Sequence, residues 1–176
     1  MRRAAIPLAC LLVLATVLTA ASARAAPRRP KRVNECTLLT TGQAGTIMGA
    51  EPYARGAPDG EACSWQTDPT DRANLRYVVV TVEGLAKYLG KHPDVRTFLD
   101  ESTTVGIDPL PGVGSEAYST YSALSGPGSS DGITVRVGKQ VLSVGFQATD
   151  RVENPSPEFD QIVAIVQKMA AKLRRS

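Results

Sequence analysis

One histidine, one tryptophan and three cysteines are all that 176 residues supply of those three side chains, which leaves little for imidazole or thiolate chemistry. The histidine, His92, lies in Gly90-Lys91-His92-Pro93-Asp94, read as an exposed turn between two helices. A Ser-His-Asp constellation has no other residue to use as its base. The Gly-x-Ser-x-Gly pattern occurs once, at Gly128-Ser129-Ser130-Asp131-Gly132, but a β-hairpin rather than a helix follows it, so it is not read as an elbow presenting a serine nucleophile. Aromatics amount to 5 % and no stripe of basic residues runs through the body of the chain, which speaks against nucleic-acid binding. After the N-terminal segment, no apolar run approaches the roughly 20 residues of a membrane-spanning helix.

What the N-terminus does contain is a secretory pattern. Arg2 and Arg3 are followed by an apolar run from Ile6 to Leu18 and then by Ala21-Ser22-Ala23, an A-x-A cleavage site. The expected signal peptide is 1–23, cleaved after about Ala23, and the expected product is a secreted or extracytoplasmic protein. Cys10 precedes most of the apolar run, the wrong place for a lipidated cysteine, so it is expected to leave with the signal peptide.

Charge is unevenly placed. The chain is formally +3, yet residues 24–32 carry five cations (Arg24, Arg28, Arg29, Lys31, Arg32) and no acid. Residues 33–176 hold thirteen basic and seventeen acidic side chains, a net −4. The basic pI belongs to a Pro/Arg-rich tail, 24–33, whose composition predicts disorder. That tail is suited to weak electrostatic contact with anionic envelope surfaces, or it serves only as a spacer at the cleavage site.

Residues 34–176 make one domain's length. Their two cysteines, Cys36 and Cys63, form a disulfide in an oxidising compartment. Closing a loop of about 28 residues stabilises by roughly 3.5 kcal/mol in the chain-entropy account. Trp65, in Cys63-Ser64-Trp65, is expected to pack beside that bridge, the alternative being the wall of a ligand pocket.

Periodicity gives the elements. Thr40-x-x-Gln43 is a capping box, with Ala44, Ile47 and Met48 on one face and Gly49 as the stop. Ser156-Pro157 opens a long helix whose apolar stripe runs through Ile162, Val166, Met169, Ala170 and Leu173. Leu85, Tyr88 and Leu89 mark one short helix, and Asp94 caps another carrying Val95, Phe98 and Leu99. Leu75 to Glu83 alternates like a strand. With Gly138-Lys139 as a two-residue loop, Ile133 to Phe146 becomes a β-hairpin. It pairs Val137 with Gln140, Val135 with Leu142 and Ile133 with Val144, which leaves Thr134, Arg136, Val141 and Ser143 on the other face. Weaker strands fall at 103–107 and 117–122. The fold class is α+β: a single antiparallel sheet of about five to six strands, with an N-terminal helix and a long C-terminal amphipathic helix packed on it.

Gly112-Val113-Gly114-Ser115-Glu116-Ala117 matches the G-x-G-x-x-G/A pattern of dinucleotide loops. Its context does not: Pro109 and Pro111 break a strand on the way in, and a strand rather than a helix follows. Gly112 and Gly114 are read as a structural turn, and no cofactor is expected. Asp68-Pro-Thr-Asp71 and Asp150-x-x-Glu153 are turn acids without calcium-loop spacing, so no metal and no catalytic residues are assigned. Proline at 155 bars glycosylation of Asn154.

In order, Cys36-Thr-Leu-Leu-Thr, a helix ending at Gly49, Cys63-Ser-Trp65, Leu110-Pro-Gly-Val-Gly-Ser-Glu-Ala117, a valine-rich hairpin and a terminal amphipathic helix resemble a family of actinobacterial exported proteins and lipoproteins. That family is catalogued only as a domain of unknown function. The resemblance spans about Glu35 to Leu173 and implies a cell-envelope protein with a disulfide and no known catalytic residues. Many members carry a lipobox just before the domain, and this sequence has none there. The expected function is that of a non-enzymatic binding or interaction module for a small ligand, wall component or protein. A secreted hydrolase with an unrecognised constellation and a structural envelope protein held by its basic tail are the alternatives.

Overall fold

The hairpin at the centre of the sequence is also the centre of the structure. In the computed structural model, which describes residues 33–56, 62–71, 74–102, 106–121, 130–147 and 157–176, Ser130–Val137 and Gln140–Gln147 pair in the expected register, with Val137 opposite Gln140 and Ile133 opposite Val144. Gly138 turns the chain at φ 61°, as a two-residue hairpin loop requires. The described residues belong to one compact unit, Arg32–Ser176. The signal segment, nearly all of the basic tail, Cys10, Asp150, Glu153 and the Asn154-Pro-Ser triplet lie outside the described residues.

Around the hairpin the strands are β1 (Ala54–Gly56), β2 (Ala62–Gln66), β3 (Tyr77–Gly84), β4 (Gly106–Pro109), β5 (Glu116–Tyr121), β6 (Ser130–Val137) and β7 (Gln140–Gln147). They form one antiparallel sheet in the order β1-β2-β3-β7-β6-β5-β4. The helices are α1 (Thr41–Met48), α2 (Leu85–Leu89), α3 (Val95–Ser102) and α4 (Pro157–Leu173), preceded by a 3-10 turn at Glu35–Thr37. The α+β architecture is as expected, and the seventh strand is the three-residue β1 at one edge.

One local expectation needs correction. Pro109 does not break a strand: it is the last residue of β4, paired with Tyr118. β4 is the outermost strand, and an edge tolerates a residue without an N–H because no ladder lies beyond it. Cys36 sits in the 3-10 turn that precedes α1.

The helices divide between the two faces. Strand alternation puts Cys63, Trp65, Val78, Val80, Val135, Leu142 and Val144 on one face, where they pack with Leu39, Ala44, Ile47 and Met48 of the α1 region. Ile162, Val166, Met169, Ala170 and Leu173 of α4 complete this main core. Met169 is 1 % exposed, so truncating it to alanine costs about 2–5 kcal/mol. The opposite face is not left bare. Leu85, Tyr88 and Leu89 of α2, with Val95, Phe98 and Leu99 of α3, cluster there on Val141, Ile107 and Tyr118. Val141, placed by its alternation among polar neighbours, is buried under this second layer.

The start of α3 is fixed by local chemistry. Asp94 Oδ1 accepts a hydrogen bond from the Thr97 amide at 2.8 Å, the N-cap expected for α3. This bond, with a further one from the Thr97 hydroxyl, holds the Asp94 carboxyl below its ordinary pKa. Glu116 Oε2 accepts from the Val95 amide at 3.3 Å, while its Oε1 meets Arg136 Nη1 at 2.6 Å. Glu116 thus links the start of α3 to β5 and β6.

Candidate functional site

The residues singled out from the sequence fall in two places. Cys36 and Cys63 are joined, with their Cα atoms 5.1 Å apart, and Trp65 lies two residues along β2 on the same buried face, 1 % exposed. The disulfide therefore fastens the 3-10 turn to the main core. Gly112 and Gly114 sit towards the opposite side of the sheet, between β4 and β5. Their roles differ. Gly112 has φ 82°, the left-handed region that favours glycine. Gly114 is needed for space, since a Cβ there would stand 2.6 Å from Val135 Cγ1 and 2.9 Å from the Arg136 carbonyl oxygen. Between them Val113 is buried, and its carbonyl accepts from Arg174 Nη2 at 3.4 Å. The loop is a packed corner tied to the end of α4, and the segment after it is β5, not a helix.

His92 follows α2 in the turn to α3, as expected, but is half-buried rather than free in solvent. Its Nδ1 lies 3.3 Å from Glu101 Oε2, and its ring edge meets Phe98 with centroids 5.4 Å apart. Asp68 accepts from the amide and hydroxyl of Thr70 at 2.8 and 2.7 Å, and Asp71 accepts from the Asn74 side chain at 2.9 Å. Both carboxylates are occupied in building their turn. Among the described residues no group of three His, Cys, Asp or Glu side chains is placed to hold a metal ion.

A different set of residues is brought together on the second face, beside the α2–α3 layer. Three rows of cross-strand neighbours run across β3, β7, β6 and β5. The first is Glu83, Val141, Arg136 and Glu116; the second is Thr81, Ser143, Thr134 and Tyr118; the third is Val79, Gly145, Gly132 and Thr120. The first row lies at the α2–α3 end, where its charges are paired: Glu83 with Lys87 at 2.9 Å and Glu116 with Arg136.

The second row is a line of hydroxyls. Thr134 Oγ1 and Ser143 Oγ lie 3.5 Å apart, and the Tyr88 phenol, reaching down from α2, hydrogen-bonds to both side chains. Burial of Tyr88 pushes its phenol above the ordinary tyrosine pKa, partly offset by these two bonds. Tyr88 is held from above by Phe98, ring centroids 4.4 Å apart. In the third row two glycines face one another, Gly132 opposite Gly145. A Cβ on Gly145 would meet no atom within 4 Å beyond its chain neighbours, whereas Thr120 Oγ1 leans to 3.2 Å from the corresponding position on Gly132. Neither glycine has positive φ, so backbone conformation does not account for them. They leave a recess over Gly145, with the Thr120 hydroxyl leaning over Gly132 on one side and the hydroxyl row beside it.

Alternation had already put Thr134 and Ser143 together on the polar face of the hairpin. It carried no signal for Tyr88, whose short helix reads equally well as packing on either face. Comparison of the chain with family models, curated proteins and solved structures finds no match.

Proposed function

We propose that this protein is an exported, non-enzymatic binding module of the cell envelope, and that its ligand rests on the second face of the sheet beside α2 and α3. The recess at Gly145 and Gly132 carries this reading. A sheet face filled only for packing gains from β-branched or aromatic side chains in central strands, and glycine there weakens the strand unless something must approach the backbone closely. A few fixed polar groups beside such a recess are what orient a bound molecule.

The address is supported by the signal-like N-terminus, by a disulfide suited to an oxidising compartment, and by the motif order that resembles actinobacterial exported proteins. Among the described residues no helix is long and apolar enough to cross a membrane. The five cations of Arg24–Arg32 are the segment that would hold the protein to anionic envelope surfaces, and their deletion should release it from the cell surface.

Intact mass spectrometry of the protein recovered from an expressing culture tests the reading. The expected species begins at Arg24, carries Cys36 and Cys63 as a disulfide, and releases a co-purifying compound on denaturation. A cytoplasmic product retaining residues 1–23 with Cys10, Cys36 and Cys63 all as free thiols overturns it.

A further inference from the structure

Resting on that reading, we infer that the recess over Gly145 is a site for an uncharged, polyhydroxylated ligand: a short saccharide segment lying across β3, β7, β6 and β5. Three observations define the ligand's chemistry.

The first is charge. The second and third rows, Thr81-Ser143-Thr134-Tyr118 and Val79-Gly145-Gly132-Thr120, contain no ionisable side chain other than the tyrosine. The nearest charged groups, Glu83, Arg136, Glu116 and Arg96, whose guanidinium lies 5.9 Å from the Tyr118 ring centroid, are already in ion pairs. An anion or cation laid over these rows would lose water without gaining a counter-charge, which is costly. A neutral ligand does not meet that penalty.

The second is the donor and acceptor pattern. Thr81 and Ser143 present hydroxyls, each able to donate one hydrogen bond and accept two, while Thr134, 6 % exposed, lies behind them against Ser143 and the Tyr88 phenol. Such groups match a partner that is itself made of hydroxyls, and match poorly an apolar chain that would leave them unsatisfied.

The third is shape. The recess has a polar wall in the second row, and beyond the third row come Tyr77, Gln147 and Ser130, of which Tyr77 supplies an aromatic edge on the β3 side. Tyr77, half-buried, stands beside Val79 on the same face of β3, on the side away from Ser143. A sugar ring is likewise polar at its rim and apolar on its C–H faces, and the side-chain-free floor lets it approach the backbone. Four strands about 4.8 Å apart span about 14 Å, the length of two to three sugar units.

The test is an amide-shift titration of the whole mature protein with three sets of probes: neutral trisaccharides (glucose, galactose and N-acetylglucosamine units), an anionic trisaccharide of galacturonic acid, and dodecanoate. Gly145→Val is the control. Its side chain enters open space on an extended strand, so the variant folds with unchanged melting. The expected result is saturable shifts at Gly132, Ser143 and Gly145 with at least one neutral trisaccharide, weakened about tenfold or more in Gly145→Val. Binding of only the anionic probe or only dodecanoate to these residues overturns the saccharide assignment and leaves the binding face standing. If no probe shifts any residue of the second face, or the neutral sugars bind elsewhere and ignore Gly145→Val, the saccharide site is overturned. If the purified protein then also releases no compound, the binding-module reading falls with it.

Discussion

Arg76 donates from Nη1 to the Met48 carbonyl oxygen at 2.7 Å, so the C-terminus of α1 is closed by a residue 28 positions further along the chain. The helix itself stops at Gly49, with φ 62°, and a Cβ there would stand 2.9 Å from the same guanidinium nitrogen. Arg76→Met should therefore destabilise the fold by about 1.5–3 kcal/mol, the worth of a hydrogen bond to a charged group. Gly49→Ala should cost about 1–2 kcal/mol for its left-handed backbone, with a further penalty from the clash. Combining the two removes the clash, so urea melts should give a double mutant less destabilised than the sum of the singles. Strict additivity would show that Arg76 does not crowd Gly49.

The two glycines of the β4–β5 corner make a second comparison. Gly112→Ala should cost about 1–2 kcal/mol, the left-handed penalty alone, and Gly112→Asn should cost less because asparagine visits that region more readily. Gly114→Ala should be worse, about 1–3 kcal/mol or more, because the Arg136 carbonyl at 2.9 Å is backbone and cannot step aside. Asparagine should give no relief at 114. Thermal melts that rank alanine at 112 as the more damaging change would remove the distinction between conformation and space.

Reducing the Cys36–Cys63 bridge opens a loop whose ends are 27 positions apart. The expected loss is roughly 3.5 kcal/mol if the effect resides in the unfolded chain. The wild type should melt at lower temperature in reductant, whereas Cys36→Ala/Cys63→Ala should melt low with or without it. Alanine is preferred to serine at position 63, which is 0 % exposed and would bury an unpaired hydroxyl. Equal melting of the wild type in both conditions would mean that the bridge contributes no stability.

These three predictions draw on features of unequal legibility. The hairpin was readable because two signals agreed: Gly138-Lys139 sets a register, and only that register collects Ile133, Val135, Leu142 and Val144 on one face. The capping box at Thr40 was readable because it is made within four residues, and it forms as expected, with Gln43 Oε1 accepting from the Thr40 amide at 2.9 Å. β1 was not: three residues are too few to show alternation. The placement of α2 and α3 was not either. Period-two patterning separates the two faces of a strand but does not say which helix covers which. Val141 therefore looked like an isolated apolar residue on a polar face until Leu85, Val95 and Leu99 were seen around it. The recess was invisible for the same reason, since its floor and its hydroxyl wall come from different strands and its phenol from a helix.

Tyr88 offers a check on that wall that does not depend on any ligand. Burial raises its phenol above the ordinary value of 10.0, the Thr134 and Ser143 hydroxyls lower it in part, and the charge of Glu83 raises it further. A native pKa above the unfolded one means that the folded state holds the proton more tightly. The associated stability is fully present below about pH 10 and is lost as pH rises through the native pKa. Tyr118 is also raised, first by burial and then by Glu116 and Asp94. Alkaline titration of phenolate absorbance should thus show two late tyrosines in the wild type and one in Tyr88→Phe. Thr134→Val with Ser143→Ala should delay the Tyr88 component further, because the bonds that favour its phenolate are gone. If that double variant instead titrates earlier, or Tyr88→Phe leaves both late components in place, the phenol does not stand against these two hydroxyls and the polar wall of the recess is lost.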